Sequence, residues 1–590
     1  MATLSYSEVQ EFVNNSHLEQ YPKLNISILR NIVVETIEPY WRYFAIKMGF
    51  NAQVKFGEYD NVFQEAVGGM GNVLNKDTDV VMVFLKMDTI SYDLANNYTA
   101  LSVEQVHLEV KRIKEYIAAV LAGIRRQTDA FLLWHCFDLP TYPAYGIWDS
   151  QTSDGQLETL RELNRFLLSI IGSHTNTYCV DLNLCIARIG ANNFFDPRYW
   201  HIGRAPFASA ALYEIASENF KFIRARKGKN KKCIVLDCDN ILWGGIVGED
   251  GFAGVKLGKT YPGSAYCEFQ QEVLNLYHRG VIIAICSKNN EDDVMEIFRN
   301  HPDMVLKEKH ITNFKVNWQD KATNIRQIAK DLNIGLDSMV FFDDSEFEAN
   351  LVREIVPEVE VIHMPPQKAV EYRNMLASCG FFDTLTITAE DKKRGLMYKA
   401  EVARKDLQKQ SIDIQSYYKS LEMKLEICYA DTFSIPRIAQ LTQKTNQFNL
   451  TSVRYSESDI NRLADSDDSD VMYVKLEDRF GDYGIVGVAI LKHFADFFEI
   501  DTFLLSCRVT GRGVEDAFLV ECMKLSGKRN KRAVRGRYIK SKKNQQVADF
   551  YKAHGFEVLE VKSDDTLYQF DLSKPYPDCP WYFKDNNVRL

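Results

Sequence analysis

Asp237 and Asp239 stand two residues apart in the run Asp237-Cys238-Asp239-Asn240, directly after the apolar stretch CIVL. Two carboxylates leaving a buried strand are costly to charge unless a cation or a proton compensates them. Side-chain alternation ends with the strand, so both can turn into one crevice. A hard cation with oxygen ligands, Mg²⁺ above all, would stabilise both charges there and hold a phosphate oxygen. One carboxylate could then attack phosphorus while the other moves protons.

Two further polar clusters follow the same plan. Cys286-Ser287-Lys288-Asn289-Asn290 ends the run VIIAIC, and its hydroxyl and backbone N–H groups suit phosphate oxygens. Asp343-Asp344-Ser345 ends MVFFD, with Glu348 just beyond, and Lys321 opens a helical segment after NWQD. Each alone has an ordinary reading, as a turn, a helix cap or a solvated lysine. Their order at three successive strand ends is what points to phosphoryl chemistry.

A second constellation lies near the C-terminus. LLSC leads into Arg508-x-x-Gly511-x-Gly513 and then a helix, where glycines let backbone N–H groups approach a phosphate or pyrophosphate. Cys507, beside Arg508 and close to a helix start, is a candidate nucleophile; a buried strand cysteine is the alternative. Asn544, Tyr551 and Gly555-Phe556 follow on a helix and strand entry. Asn446, Gln447 and Asn449 could bind a hydroxylated acyl group or pantetheine amides, or equally serve as turn and cap residues. Gly527–Lys543 carries nine Lys/Arg residues and reads either as a docking surface for an acidic partner or as a solvated turn.

The elements that must position these groups can be read from periodicity. VIIAIC, MVFFD and CIVLD are short strands. Between them Ala265, Phe269, Val273 and Leu276 recur at helical spacing, as do Ala322, Ile325, Ile328, Ala329 and Leu332. Such alternation implies a parallel sheet with functional groups at the carboxyl ends of its strands. Residues 1 to 220 show the same mixture, with runs at 80–85 and 130–137 and a helix over Val103–Leu121. ADSDDSD at 464–470 reads as a solvated turn.

The chain has 590 residues, 46% apolar and 26% charged, enough for three or four domains with proper cores. A net charge of −9 argues against a general nucleic-acid binder. Twelve irregularly spaced cysteines suit a reducing compartment. No signal pattern opens the sequence, and no apolar run reaches the roughly 18 residues of a membrane span, so a cytoplasmic location is expected.

DxD, strand-end Ser, Lys and DD together resemble the haloacid dehalogenase (HAD) phosphatase superfamily. LDCDNILWGGIVGEDG, FQQEVLNLYHRGVIIAICSKNN, VNWQDKATNIRQIA and VFFDDSEFE resemble its FkbH-like, subfamily IIIC branch. The resemblance implies Asp237 as nucleophile, Asp239 as general acid/base, and Ser287 and Lys321 on phosphate. It implies Mg²⁺ at Asp237, Asp239, Asp343 and Asp344, with Asp344 favoured as the direct ligand of the acid pair. It also implies a capless site, open to a bulky substrate. Cys238 and Ile241 depart from the usual DLDNT, and Ser345-Glu346 from DDNP.

The C-terminal motifs are similar to the GNAT acyltransferase fold, which implies acyl or pantetheine contacts at Arg508, Gly511, Gly513, Asn544 and Tyr551. QLTQKTNQFNLTSVRY, EDRFGDYGIVGVAIL and SCRVTGRGVE again resemble FkbH-like proteins. That family implies transfer of the glyceryl unit of 1,3-bisphosphoglycerate, with loss of phosphate, through a Cys507 thioester to an acyl carrier protein. Residues 1–220 resemble the SGNH-like region of that family but carry Phe56-Gly57-Glu58-Tyr59-Asp60 where a nucleophilic serine is needed, so a scaffold is expected, with Asp196 and His201 structural.

The expected fold class is therefore α/β in three domains. An SGNH-like α/β domain spans 1–220, and a capless HAD domain with a Rossmann-like parallel sheet spans 221–385. A linker, 386–412, leads to a GNAT-like mixed α/β domain, 413–590. The competing reading is a HAD phosphatase with a GNAT-like acyltransferase using coenzyme A in cell-surface polysaccharide or sugar metabolism.

Overall fold

The computed structural model describes residues 4–69, 73–388, 397–398, 400, 414–541, 543–580, 583 and 586–589. The chain divides into two compact units, Met1–Arg224 and Ala225–Leu590. Two of the three expected domains thus share one unit. The expected linker, 386–412, falls mostly outside the described residues.

Unit one is a parallel sheet of β1 (Lys23–Arg30), β2 (Asn51–Phe56), β3 (Val80–Phe84), β4 (Phe131–His135) and β5 (Thr177–Val180), in the order β2-β1-β3-β4-β5. The expected helix runs over Val103–Gln127, started by a Ser102/Gln105 capping box. Every residue of β3 and β4 is buried, which is why these runs are apolar without alternation. His135 is buried among them. Its ring takes Asn219 Nδ2 at 2.8 Å and meets the Val83 carbonyl at 2.9 Å, and Trp41 Nε1 donates to the Asn219 amide oxygen at 3.1 Å. Burial lowers the His135 pKa to about 4.

Unit two begins with a second parallel sheet, β6 (Cys233–Leu236), β7 (Ile282–Ser287), β8 (Asn313–Val316), β9 (Met339–Asp343) and β10 (Glu360–His363), ordered β10-β9-β6-β7-β8. The sequence marked β6, β7 and β9. The outer strands β8 and β10 are four residues each, with partly exposed positions that blur the pattern. The helices Gly263–His278 and Lys321–Leu332 bury the faces read from spacing.

The remaining sheet is mixed. It contains β11 (Lys424–Tyr429), β13 (Ser469–Asp478), β14 (Gly481–His493), β15 (Phe497–Leu505), β16 (Ala533–Ile539), β17 (Glu557–Lys562), β18 (Asp565–Asp571) and β19 (Asn586–Arg589), with the short β12 (Phe448–Asn449) beside β15. β15 and β16 pair in parallel between antiparallel neighbours. The acidic run read as a solvated turn is a turn over 465–468 and enters β13 at Ser469. Asp470 belongs to β13, is buried, and meets His493 at 2.8 Å and Arg529 at 3.1 Å.

Candidate active site

The strand ends bring together the residues that the sequence placed in three clusters. Asp237 leaves β6, Ser287 closes β7 and Asp343 closes β9, all at the carboxyl edge of one sheet. Lys321 reaches them from the first turn of its helix, where Asp320 caps the N-terminus by accepting from Thr323 N at 2.7 Å. Its ammonium lies 2.8 Å from Asp237 Oδ2 and 2.5 Å from Asp343 Oδ2. Burial alone would lower the lysine pKa, but the two carboxylates outweigh it and hold the group charged.

One Oδ atom each of Asp237, Asp343 and Asp344 lies within 4.8 Å of the others. Oδ1 of Asp237 is buried without a hydrogen-bond partner among the described residues. Asp343 is already committed, to Lys321 and to the Ser345 amide at 2.9 Å. Burial, then repulsion from Asp237, raises its carboxyl to about 7 despite the lysine. Burial also raises Asp344, whose Oδ2 accepts from Asn240 Nδ2 at 3.1 Å. Three gathered carboxylates beside one ammonium leave negative charge unmatched, and one buried oxygen, Asp237 Oδ1, has no partner among the described residues. This donor set, all hard oxygen, fits a divalent cation such as Mg²⁺.

Asp239 is placed differently from the expected side-chain ligand. Its Oδ1 accepts from Trp243 Nε1 at 2.8 Å and Val247 N at 3.1 Å, and Oδ2 from Asn289 Nδ2 at 2.9 Å. These donors turn the carboxylate away from the three-acid cluster and fix it as a poised group beside it. Its pKa is raised by burial. Asn289 also reaches the buried Ser287 hydroxyl, at 3.1 Å. The sequence offered Asn289 only as one member of a polar run; nothing in its spacing marked it as the link between two clusters. Asn240, at φ 53°, makes the backbone turn that sends the chain outward, and Gly245 N donates to its Oδ1 at 3.0 Å.

From Asp239 to Ser287 the chain passes through two helices, Val247–Gly254 and Gly263–His278, without an inserted domain. Tyr261, Trp318 and Phe347 stand exposed on segments leading from or near this edge of the sheet.

Cys507 lies elsewhere in the same unit. It lines a cavity of about 170 Å³ with Lys232, Ser338, Tyr398, Lys444, Gln447 and Arg508. The Tyr398 hydroxyl is 3.9 Å from its sulfur, and Asn333 Nδ2 donates to its carbonyl. Arg508 is buried and donates to Ser506 Oγ at 3.3 Å.

The other expected acyl contacts do not join this cavity. Gly511 and Gly513 adopt the left-handed backbone expected of such a loop, at φ 80° and 74°. The Gly511 amide, however, donates to Glu515 Oε1 at 2.8 Å, so the loop's own helix supplies the acceptor. The Asn544 side chain is wholly buried and spent on Asn449 O and Ile539 O, both at 2.9 Å, and on Ser541 N at 2.8 Å. Tyr551 is a core ring packed on Gly536, where a Cβ would come within 2.4 Å of it. Both residues brace the sheet because the short β12 and the Gly536 gap need partners. Asn446 and Gln447 line the cavity, whereas Asn449 holds its own turn by accepting from Ser452 N at 2.8 Å.

Part of the basic run is paired at home. Arg529 meets Asp470, Arg537 meets Asp565 at 2.8 Å, Lys543 meets Asp337, and Arg535 stacks 3.7 Å above Phe497.

No family model matches the sequence, and no curated protein matches it. Among solved structures, the chain is similar to the N-terminal part of the protein BF1531 from Bacteroides fragilis, which contains a phosphatase domain and was solved with Mg. The identity is 29%, over 65% of this chain and 100% of that one, with a TM-score of 0.58. Matches over smaller parts include the ribosomal-protein-S18-alanine N-acetyltransferase from Escherichia coli, at 14% identity, 26% of this chain, 96% of that one and a TM-score of 0.21. Another is a GNAT-family acetyltransferase from Desulfovibrio desulfuricans, at 13% identity, 25% of this chain, 99% of that one and a TM-score of 0.22.

Proposed function

We propose that this protein is a Mg²⁺-dependent HAD-type phosphatase joined to an acyltransferase. The carrying observation is the orphaned Asp237 Oδ1, buried beside Asp343, Asp344 and Lys321 at one sheet edge. Asp237 and Asp344 would hold the ion, with Asp343 gathered beside them, and the ion when bound would supply positive charge for the phosphate oxygens. Asp237 attacks phosphorus, and Asp239, held in place by Trp243, Val247 and Asn289, gives a proton to the leaving oxygen and takes one from water. Ser287 and Lys321 hold the phosphoryl oxygens. The likeness to the Mg-bound phosphatase domain supports this assignment.

The finer reading assigns Cys507 as the acyl acceptor. A glyceryl unit from 1,3-bisphosphoglycerate passes through its thioester to the pantetheine thiol of an acyl carrier protein, with Arg508 close by. The parallel β15/β16 pair and the glycine loop before the helix Val514–Lys528 support a GNAT-like domain. Unit one, SGNH-like but without a serine at Phe56–Asp60, serves as scaffold.

The test is phosphate release from phosphomonoesters with Mg²⁺ and with chelator, by wild type and Asp237→Asn. Release by the variant equal to wild type would remove Asp237 as nucleophile. A glyceryl adduct on the Cys507 peptide would support the carrier reading. Phosphatase activity without an adduct would favour the alternative, a coenzyme A-dependent acyltransferase in polysaccharide or sugar metabolism.

A further inference from the structure

β6 leads into Asp237 and lies between β7 and β9 in the sheet. With neighbouring strands about 4.8 Å apart, the two that flank β6 stand about 10 Å from each other. An ion pair crosses that gap. Lys288, the residue after β7, places its ammonium 2.6 Å from Oε1 of Glu348, on the helix Glu346–Ile355 that follows β9. Exposed ion pairs position little, because solvent and side-chain entropy offset their attraction. This pair is largely withdrawn from solvent: the Glu348 side chain is 11% exposed and that of Lys288 34%. Glu348 Oε2 is buried with no hydrogen-bond partner among the described residues, so the carboxylate leans on the lysine at its other oxygen.

Both ends of the bridge are tied to the site. On the β9 side, Glu348 N donates to Ser345 Oγ at 3.3 Å, and Ser345 N donates to Asp343 Oδ1 at 2.9 Å. On the β7 side, Lys288 stands between Ser287 and Asn289. Asn289 Nδ2 reaches Asp239 Oδ2 at 2.9 Å and Ser287 Oγ at 3.1 Å. The β7–β8 ladder ends at the pair Ser287 and Val316. Sheet pairing therefore fixes Ser287, whereas Asn289 lies beyond the ladder, and the Lys288 side chain anchors the residue between them.

Resting on the phosphatase reading above, we propose that Lys288 and Glu348 are a positioning pair, whose bridge holds Asn289 where it aims the Asp239 carboxyl at the leaving oxygen. Neither residue touches phosphorus: Lys288 acts through Asn289, and Glu348 acts through Lys288. Breaking the bridge leaves Asp237 and Lys321 in place and disturbs the proton donor. The effect then depends on the leaving group. An alkoxide departs only with a proton, so its ester feels the loss in full, whereas p-nitrophenolate departs with little help from an acid.

The experiment assays the full chain with Mg²⁺ on 2-glycerophosphate and on p-nitrophenyl phosphate. Wild type is compared with Lys288→Met, Lys288→Arg and the double variant Lys288→Met/Glu348→Met. Lys288→Met is expected to lose about 10–100-fold in kcat on 2-glycerophosphate with KM little changed, the size typical of a lost supporting contact. Its loss on p-nitrophenyl phosphate is expected to be clearly smaller, and Lys288→Arg should recover most of the rate. The double variant should be no slower than Lys288→Met, since the same bridge is broken only once. It also strands no buried carboxylate, so it carries the test if Lys288→Met fails to fold. Unchanged kcat, equal losses on the two esters, or a loss confined to KM, as for a lysine that binds substrate, would overturn the positioning role. Wild type releasing phosphate from neither ester would instead sink the phosphatase reading, and the pair's role with it.

Discussion

The Lys321 ammonium sits 2.8 Å from Asp237 Oδ2, both side chains more than nine-tenths buried. Removing one partner of such a pair leaves an uncompensated charge in the interior and costs about 3–5 kcal/mol. Lys321→Ala should therefore abolish most phosphate release and lower the urea midpoint of unit two. Mg²⁺ should restore part of that midpoint, because the cation offsets the stranded carboxylates. A midpoint equal to wild type without Mg²⁺ would contradict the pairing.

Asn289 holds Asp239 and Ser287 with one amide nitrogen. Asn289→Ala frees the Asp239 carboxylate to rotate without removing any group that touches phosphorus. The expected loss is about 10–100-fold in kcat with little change in KM, the size seen when a supporting hydrogen bond is removed. Restoration by Asn289→Gln, or a loss confined to KM, would tell against a positioning role.

Glu515 carries a pH dependence. Burial, foremost, raises its carboxyl to about 7 from an ordinary 4.5. Folding then favours the protonated form, so the group's stabilising contribution is complete below pH 4.5 and is lost as pH rises through about 7. Glu515→Gln should match wild type in acid, melt at a higher temperature near pH 8, and flatten the slope between. Parallel melting curves across that range would refute the shift.

Arg529, Arg537 and Lys543 of the basic run meet carboxylates of their own neighbours, and Arg535 is tied to Phe497 and to Gln569. Arg532 is accordingly the cleaner probe of carrier docking. Arg532→Glu should raise the apparent KM for an acidic carrier severalfold at low salt, with the difference fading as ionic strength rises. A salt-independent, unchanged KM would remove the docking idea.

The meeting of the three polar clusters was legible because strands punctuate the sequence there. CIVL, VIIAIC and MVFF each lead directly into a polar residue, Asp237, Ser287 and Asp343, and a parallel sheet can deliver three such ends to only one edge. What could not be read was direction within the turn. Asp239 looks like a twin of Asp237 in sequence, yet the Trp243 indole and the Val247 amide, four and eight residues on, rotate it out of the acid cluster. Arg508, Gly511, Asn544 and Tyr551 have the spacing of a binding loop, but burial decides their roles. Asn544 and Tyr551 are consumed by packing, and Glu515 fills the seat at the Gly511 amide. Tyr398 was beyond reach, since its approach to Cys507 depends on chain 109 residues away.

The absence of an inserted domain between Asp239 and Ser287 leaves the phosphatase crevice without a roof of its own. Desolvation at such a crevice has to be completed by whatever docks there, and Tyr261, Trp318 and Phe347, at 73%, 71% and 71% exposure, offer apolar surface for it to rest upon. Under the proposed phosphatase function, selectivity would become a matter of bulk: a small phosphomonoester would leave solvent around the reacting phosphorus, whereas a phosphate borne on a large partner would bring its own lid.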